Sequence, residues 1–156
     1  MIMLEYEGVP GESSIDGFAK WIPVSSCQFG VGRGISAAYG NSTREGSIVS
    51  VSEITVTKET DGATIKLLEE ALHGKLNKIV KIAFLRTGQG AAQEYLSFEL
   101  NGTGLSGYSL SSGGDRPSES LSLNFDKFIL KYNPIGDDFS GSPATVGWDL
   151  AKAIKV

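Results

Sequence analysis

The stretch Glu119-Ser-Leu-Ser-Leu-Asn-Phe-Asp-Lys-Phe-Ile-Leu-Lys-Tyr132 decides the fold. Leu121, Leu123 and Phe125 alternate with polar residues, the period-2 pattern of a strand with one face in a core. Phe128, Leu130 and Tyr132 continue that alternation one residue out of phase. The slip falls at Asp126-Lys127 and predicts a bulge there.

Working outward, the neighbouring segments repeat the theme. Ser112-Gly-Gly-Asp-Arg-Pro117 is a polar turn, and Leu105 to Leu110 has strand character. Asn101-Gly102 is, on local grounds, a type I′ hairpin signal. Glu94 to Leu100 and Ile79 to Leu85 are strands, the latter apolar on both faces, with Thr87-Gly-Gln-Gly90 turning the chain between them. Asp61 is placed to cap a helix at roughly 62–72, with Ile65, Leu68 and Leu72 as its apolar stripe, Leu67 and Ala71 beside it, and Gly74 as its C′ glycine. Ile48 to Val56 is β-branched and strand-like, with a bulge or bend expected near Ser52-Glu53. Residues 2–7 and the run from Trp21 to Phe29 complete the N-terminal strands, with Pro23 demanding an edge or an irregularity. Beyond Tyr132, residues 133–145 are loop-like and Val146 to Leu150 forms a last short strand. The fold class is mainly β: some eight predominantly antiparallel strands around one helix, curved into a barrel or an orthogonal sandwich.

The 156 residues predict one domain, 1–156. Glycine fills 20 positions, nearly twice the usual ~7%, while proline contributes only 5. That balance speaks for many turns and short strands and against a disordered chain. A net charge of −4 disfavours sequence-independent binding to nucleic acid, which needs a basic face. Cys27 is the single cysteine, so no intrachain disulfide forms. The N-terminus lacks a basic region and a long apolar run and is not expected to be a standard signal peptide. No uninterrupted apolar run approaches the length of a membrane-spanning helix, so membrane insertion is not expected.

Residues 30–46 are long, glycine-rich and aperiodic, and read as a loop that needs a partner. Gly30-x-Gly32-x-Gly34 lacks the following helix that a phosphate-binding loop requires. The lone histidine, His73, suits the C-terminal end of the helix dipole better than a catalytic base. One Cys and one His cannot build a zinc site, and Asp137-Asp138 lack calcium-loop spacing. No catalytic residue, cofactor or metal is therefore expected. Trp21 and Trp148 offer the main rival, a carbohydrate-binding β-sandwich. A small hydrolase using Asp and Glu is a more distant one.

The ordered set of short motifs is more specific than any one of them. Gly11-Glu-Ser13, Trp21-Ile22-x-Val24, Phe29-Gly30, Ile54-Thr-Val-Thr-Lys58, Leu67-Leu68 and Gly74-Lys75 lead it. Glu94-Tyr95-Leu96, Gly107-Tyr108-Ser109, Gly113-Gly-Asp-Arg116, Glu119 to Phe125, Lys131-Tyr132 and Gly147-Trp148-Asp149-Leu150 follow in order. Together they resemble the hemolysin-coregulated proteins of the type VI secretion system. Many relatives carry Trp-Ser-Trp-Gly where this chain has Cys27-Gln-Phe29-Gly30.

The resemblance implies a barrel of two sheets with one packed helix. It implies a homo-hexameric ring, and rings stacked into a hollow tube that a contracting sheath expels. Spike, sheath and baseplate proteins and small effectors in the lumen are the partners it implies. It further implies a cytoplasmic protein that leaves the cell without a cleaved signal. It turns Asn101-Gly102 into a bend or bulge within one long strand. Under this reading the segment 32–47 contacts the neighbouring ring, with Arg33, Tyr39, Asn41 and Arg44 as the expected interface residues.

Overall fold

The computed structural model describes residues 1–37, 44–87, 90–134 and 142–156, with the backbone alone at 35–37 and 44–48. Within these lie twelve strands and one helix. The strands are β1 (Ile2–Tyr6), β2 (Ile22–Val24), β3 (Ser26–Gln28), β4 (Val31–Ala37), β5 (Arg44–Val51) and β6 (Ile54–Glu59). After helix α1 (Thr64–His73) come β7 (Lys78–Arg86), β8 (Gln93–Ser111), β9 (Ser118–Asn124), β10 (Lys127–Tyr132), β11 (Ala144–Asp149) and β12 (Ile154–Lys155). No helix here is long and apolar enough to cross a membrane.

The deciding stretch forms two strands rather than one bulged strand. β9 and β10 part at Phe125-Asp126 because they serve different neighbours along the 19-residue β8. β10 pairs with the first half of β8, from Leu96↔Tyr132 to Asn101↔Lys127. β9 pairs with its second half, from Gly104↔Asn124 to Ser111↔Ser118. β8 therefore belongs to both sheets, and it bends between them at Gly102. That residue has φ +60, and a Cβ there would overlap the Asp126 carboxylate, so only glycine fits without a shift. Asn101-Gly102 is thus a bend within one strand and not a hairpin tip.

The larger sheet runs β12-β11-β10-β8-β7-β1-β2, and the smaller continues from β8 through β9 and β6 to β3. All of these pairings are antiparallel. The predicted second strand also divides, into β2 on one sheet and β3 on the other, joined at Ser25. Pro23 sits opposite Met3 in the terminal strand β2, where its missing N–H removes no ladder bond on the outer side. The two-sheet, mainly β expectation holds. Among the described residues the ladder does not run round as a closed barrel.

The main core lies between the sheets, around Leu4, Ile22, Val56, Ile82, Leu100 and Leu121. β7 is apolar on both faces because it serves two cores. Val80 and Ile82 point into the main one, while Ala83 and Leu85 meet Met3, Phe18 and Trp21 on the outer face.

Helix α1 departs from its expected face and caps. Ala63, Thr64 and Leu67 are buried, whereas Ile65 and Leu72 are 66% and 72% exposed. Ala63 occupies the N-cap position, and Asp61 instead accepts its N–H in a turn one step earlier (2.9 Å). Gly74 does end the helix, but in extended conformation (φ −68) rather than left-handed. A side chain at Gly74 would overlap Glu70, which is why a glycine stands there.

Candidate assembly interface

The described part of residues 30–46 is mostly strand and not an irregular loop. β4 and β5 pair from Val31↔Val51 to Ala37↔Arg44, with one register shift between Arg33 and Ile35. Among the described residues the ribbon pairs with neither sheet, and Val31, Val49 and Val51 gather at its root on one face. Seven residues of β4 reach about 23 Å at the usual rise per residue. The arm grows from β3 and β6, and its root is stitched by two bonds. Ser52 N–H donates to the Gly30 carbonyl at 2.9 Å, and Gly30 N–H donates to Ser52 Oγ at 2.8 Å. The expected bend at Ser52-Glu53 is this root, where β5 leaves the arm and β6 enters the small sheet.

Beneath the arm lies an apolar groove of about 320 Å³. Val31, Val49 and Val51 form its arm side; Phe128, Leu130, Val146 and Trp148 form the opposite wall. The register explains the wall: Phe128↔Trp148 and Leu130↔Val146 are cross-strand pairs, so all four share one face of the large sheet. Near β9 that face is core; beyond the reach of the small sheet it opens to solvent. Val31 is 56% and Val146 53% exposed. Phe29 closes the inner end, edge-on to both Phe98 and Phe128 at 5.1 Å. Gly147 permits the close approach of the C-terminus, since a Cβ there would meet Val156 at 3.1 Å.

Of the four expected interface residues, Arg33 is exposed on β4, directly opposite Val49. It therefore shares the arm face that carries the groove valines. Arg44 opens β5 opposite Ala37, toward the far end of the arm. Tyr39 and Asn41 lie outside the described residues, as do Asp137 and Asp138. The rival tryptophans are not brought together. Trp21 packs edge-on against Phe18 at 5.0 Å in the outer core, while Trp148 lines the groove. His73 is exposed in the last turn of α1. Cys27 is half-buried on β3, and burial pushes its thiol up to about 11.

One cluster went unassigned in the sequence although Lys58, Tyr108 and Glu119 stood among the resemblance motifs. Lys58 and Glu119 occupy inward positions directly opposite each other on β6 and β9, and both are buried. Lys58 Nζ lies 2.8 Å from Glu119 Oε2 and 3.0 Å from Asp61 Oδ1. Thr64 Oγ1 donates to Glu119 Oε2 at 2.8 Å, and Tyr108 OH donates to Glu119 Oε1 at 2.7 Å. Burial works to raise the Glu119 pKa, but these hydrogen bonds and the Lys58 charge outweigh it and hold the carboxyl below its usual range. Burial and the bond to Glu119 raise the Tyr108 phenol. The sequence signal was a Lys and a Glu in phase with Ile54-Val56 and Leu121-Leu123, at positions where the alternation calls for apolar residues.

Two sheets sharing one long strand, a single short helix and a free-standing hairpin arm give a fold met in type VI secretion proteins. The family model described as "Type VI secretion system effector, Hcp" matches residues 3–132. The chain belongs to this Hcp family, as the ordered motifs implied. Protein hcp1 of Pseudomonas aeruginosa is 29% identical over 111 residues, covering 69% of this chain and 68% of that protein. A solved structure described as a type six secretion system protein superposes with a TM-score of 0.89 at 24% identity, covering 99% of this chain and 98% of that one. Hcp1 from Salmonella typhimurium gives 0.78 at 20% identity, covering 99% and 97%. At these identities the structural matches establish a shared fold.

Proposed function

We propose that this chain is the repeating subunit of a type VI inner tube, with residues 1–156 acting as one tube-subunit domain. Six copies close into a ring, and rings stack into a hollow tube whose lumen takes small effectors. The subunit works by assembly and not by catalysis. It waits in the cytoplasm with its spike, sheath and baseplate partners and is then driven out of the cell. The bends of β8 and of the β2–β3 stretch favour a barrel-like subunit whose two sheets wrap around one core.

The observation that carries this reading is the arm. A two-stranded ribbon on its own is marginal in water. Here β4 and β5 pair only with each other, above an open apolar groove. The missing support comes from a second copy, through a contact between unlike surfaces. Such heterologous contacts build rings when the rotation closes and filaments when it does not. Arg33, Tyr39, Asn41 and Arg44 are the proposed contacts to the next ring, since Arg and Tyr are favoured at the centres of interfaces.

The test removes residues 37–44 and closes the arm with a two-residue turn. Negative-stain microscopy and sedimentation are then compared with the full chain. The expected result is a folded subunit that still forms six-membered rings and no longer stacks. Tubes from the shortened chain would refute the role of the arm. A full-length chain that stays monomeric at high concentration would refute the tube reading altogether.

A further inference from the structure

Helix α1 docks with the less apolar of its two candidate faces. The buried side carries Ala63, Thr64 and Leu67, with Ala71 half-buried. The Ile65–Leu68–Leu72 stripe is turned away from it by roughly 100°, the rotation of one residue along a helix. Its outer members, Ile65 and Leu72, stand in solvent. Ile and Leu gain far more from burial than Ala does. Apolar burial alone therefore favours the other rotation, and something specific opposes it.

The opposing contacts all lie at the helix N-terminus. Thr64, the first helical residue, donates its hydroxyl to the buried Glu119 carboxylate. The same hydroxyl accepts the Asp61 N–H at 3.1 Å. Asp61 in turn pairs with Lys58 and accepts the Ala63 N–H. Tyr108 from β8 takes the second oxygen of Glu119, so the carboxylate is held by three elements at once. Turning the helix to bury Ile65 and Leu72 would carry Thr64 away and strip a partner from a charge that water cannot reach. Buried charges deprived of a partner are strongly disfavoured, whereas intact buried pairs add little net stability but can select one arrangement.

We infer that the Lys58–Glu119 cluster is a latch that sets the rotation of helix α1 and keeps Ile65 and Leu72, the outer members of the stripe, on the outside. Its role is to choose between two packings of the same helix. Lys58, Asp61, Thr64, Tyr108 and Glu119 are positioning residues in this device.

The test replaces the charged pair by apolar residues of similar size, Lys58→Met with Glu119→Leu, and measures amide exchange and thiol labelling. Labelling uses Leu72→Cys in a Cys27→Ser background. Amides of α1 are expected to exchange at least about tenfold faster than in the parent chain, while amides of β7 are unchanged. The thiol at position 72 is expected to label more slowly as the stripe turns inward. Should the double variant not fold, Thr64→Val removes only the hydroxyl that ties the helix to Glu119. It should reproduce the α1-selective exchange in a folded chain. Parental exchange and labelling in a folded variant would overturn the latch. So would an equal rise in α1 and β7, which would make the pair a general stabiliser.

Discussion

The molecule contains two long antiparallel ribbons with opposite fates. One is β8 with β9 and β10; the other is the arm, β4 with β5. Both are antiparallel ladders with a register shift, in the arm between Arg33 and Ile35 and in the spine between Leu105 and Gly107. The spine carries Leu100, Leu121 and Leu123 at zero exposure and has strands on its outer sides. Among the described residues no third strand joins the arm, and Val31 at its root is more than half exposed. Like pairing with unlike packing teaches that the ladder sets the shape of a ribbon while burial sets its stability.

That contrast can be broken by truncating each ribbon in the same way. Leu121→Ala in the spine is expected to destabilise the subunit by about 2–5 kcal/mol, as deletions in closed cores do. Val49→Ala in the arm should cost less than about 1 kcal/mol in the isolated subunit. Urea denaturation measures both. Equal losses would mean that the arm folds as part of the core.

A second experiment sharpens the account of the spine through pH. Glu119 is held below the usual carboxylate value of 4.5, so its contribution is fully present above that value. It is lost as the pH falls through the depressed folded-state pKa. Glu119→Gln should therefore lower stability by about 2 kcal/mol at neutral pH, the order expected for hydrogen bonds to a charged group. The gap to the parent chain should close in acid, below pH 4.5. A gap independent of pH would assign the loss to packing. The smallest effect is expected at the arm root, where Val31→Thr should change the isolated subunit by no more than about 0.5 kcal/mol. A larger loss would show the groove to be closed already within one subunit.

Much of the spine was legible because one of its faces is buried. Leu121-Leu123-Phe125 and Phe128-Leu130-Tyr132 announce both the strands and the break between them. A phase slip reads the same whether a strand bulges or passes to another sheet, so the second outcome had to come from the structure. The arm was legible only in part: Ile48 to Val51 of β5 carried a β-branched strand signal, whereas Val31 to Ala37, which pairs only with β5, shows no clear period. The helix was located correctly and its face misread, because periodicity weighs side chains by hydrophobicity and cannot weigh a buried carboxylate contributed by β9. Lys58 and Glu119 were visible as residues, but nothing local says that they are cross-strand partners. Of the expected interface residues, Arg33 falls on the groove-bearing face of the arm, a placement that follows from the register of β4 with β5.

The sharing of β8 between the sheets has a mechanical consequence. A sandwich of two separate sheets can shear along its apolar middle, where nothing directional resists sliding. Here the covalent backbone crosses that plane at Gly102 and again at Ser25, between β2 and β3. A load applied to one sheet passes to the other through peptide bonds, so displacement of the layers requires the corner strands themselves to tear from their ladders. A subunit pushed from one end under compression would transmit the thrust as a rigid block.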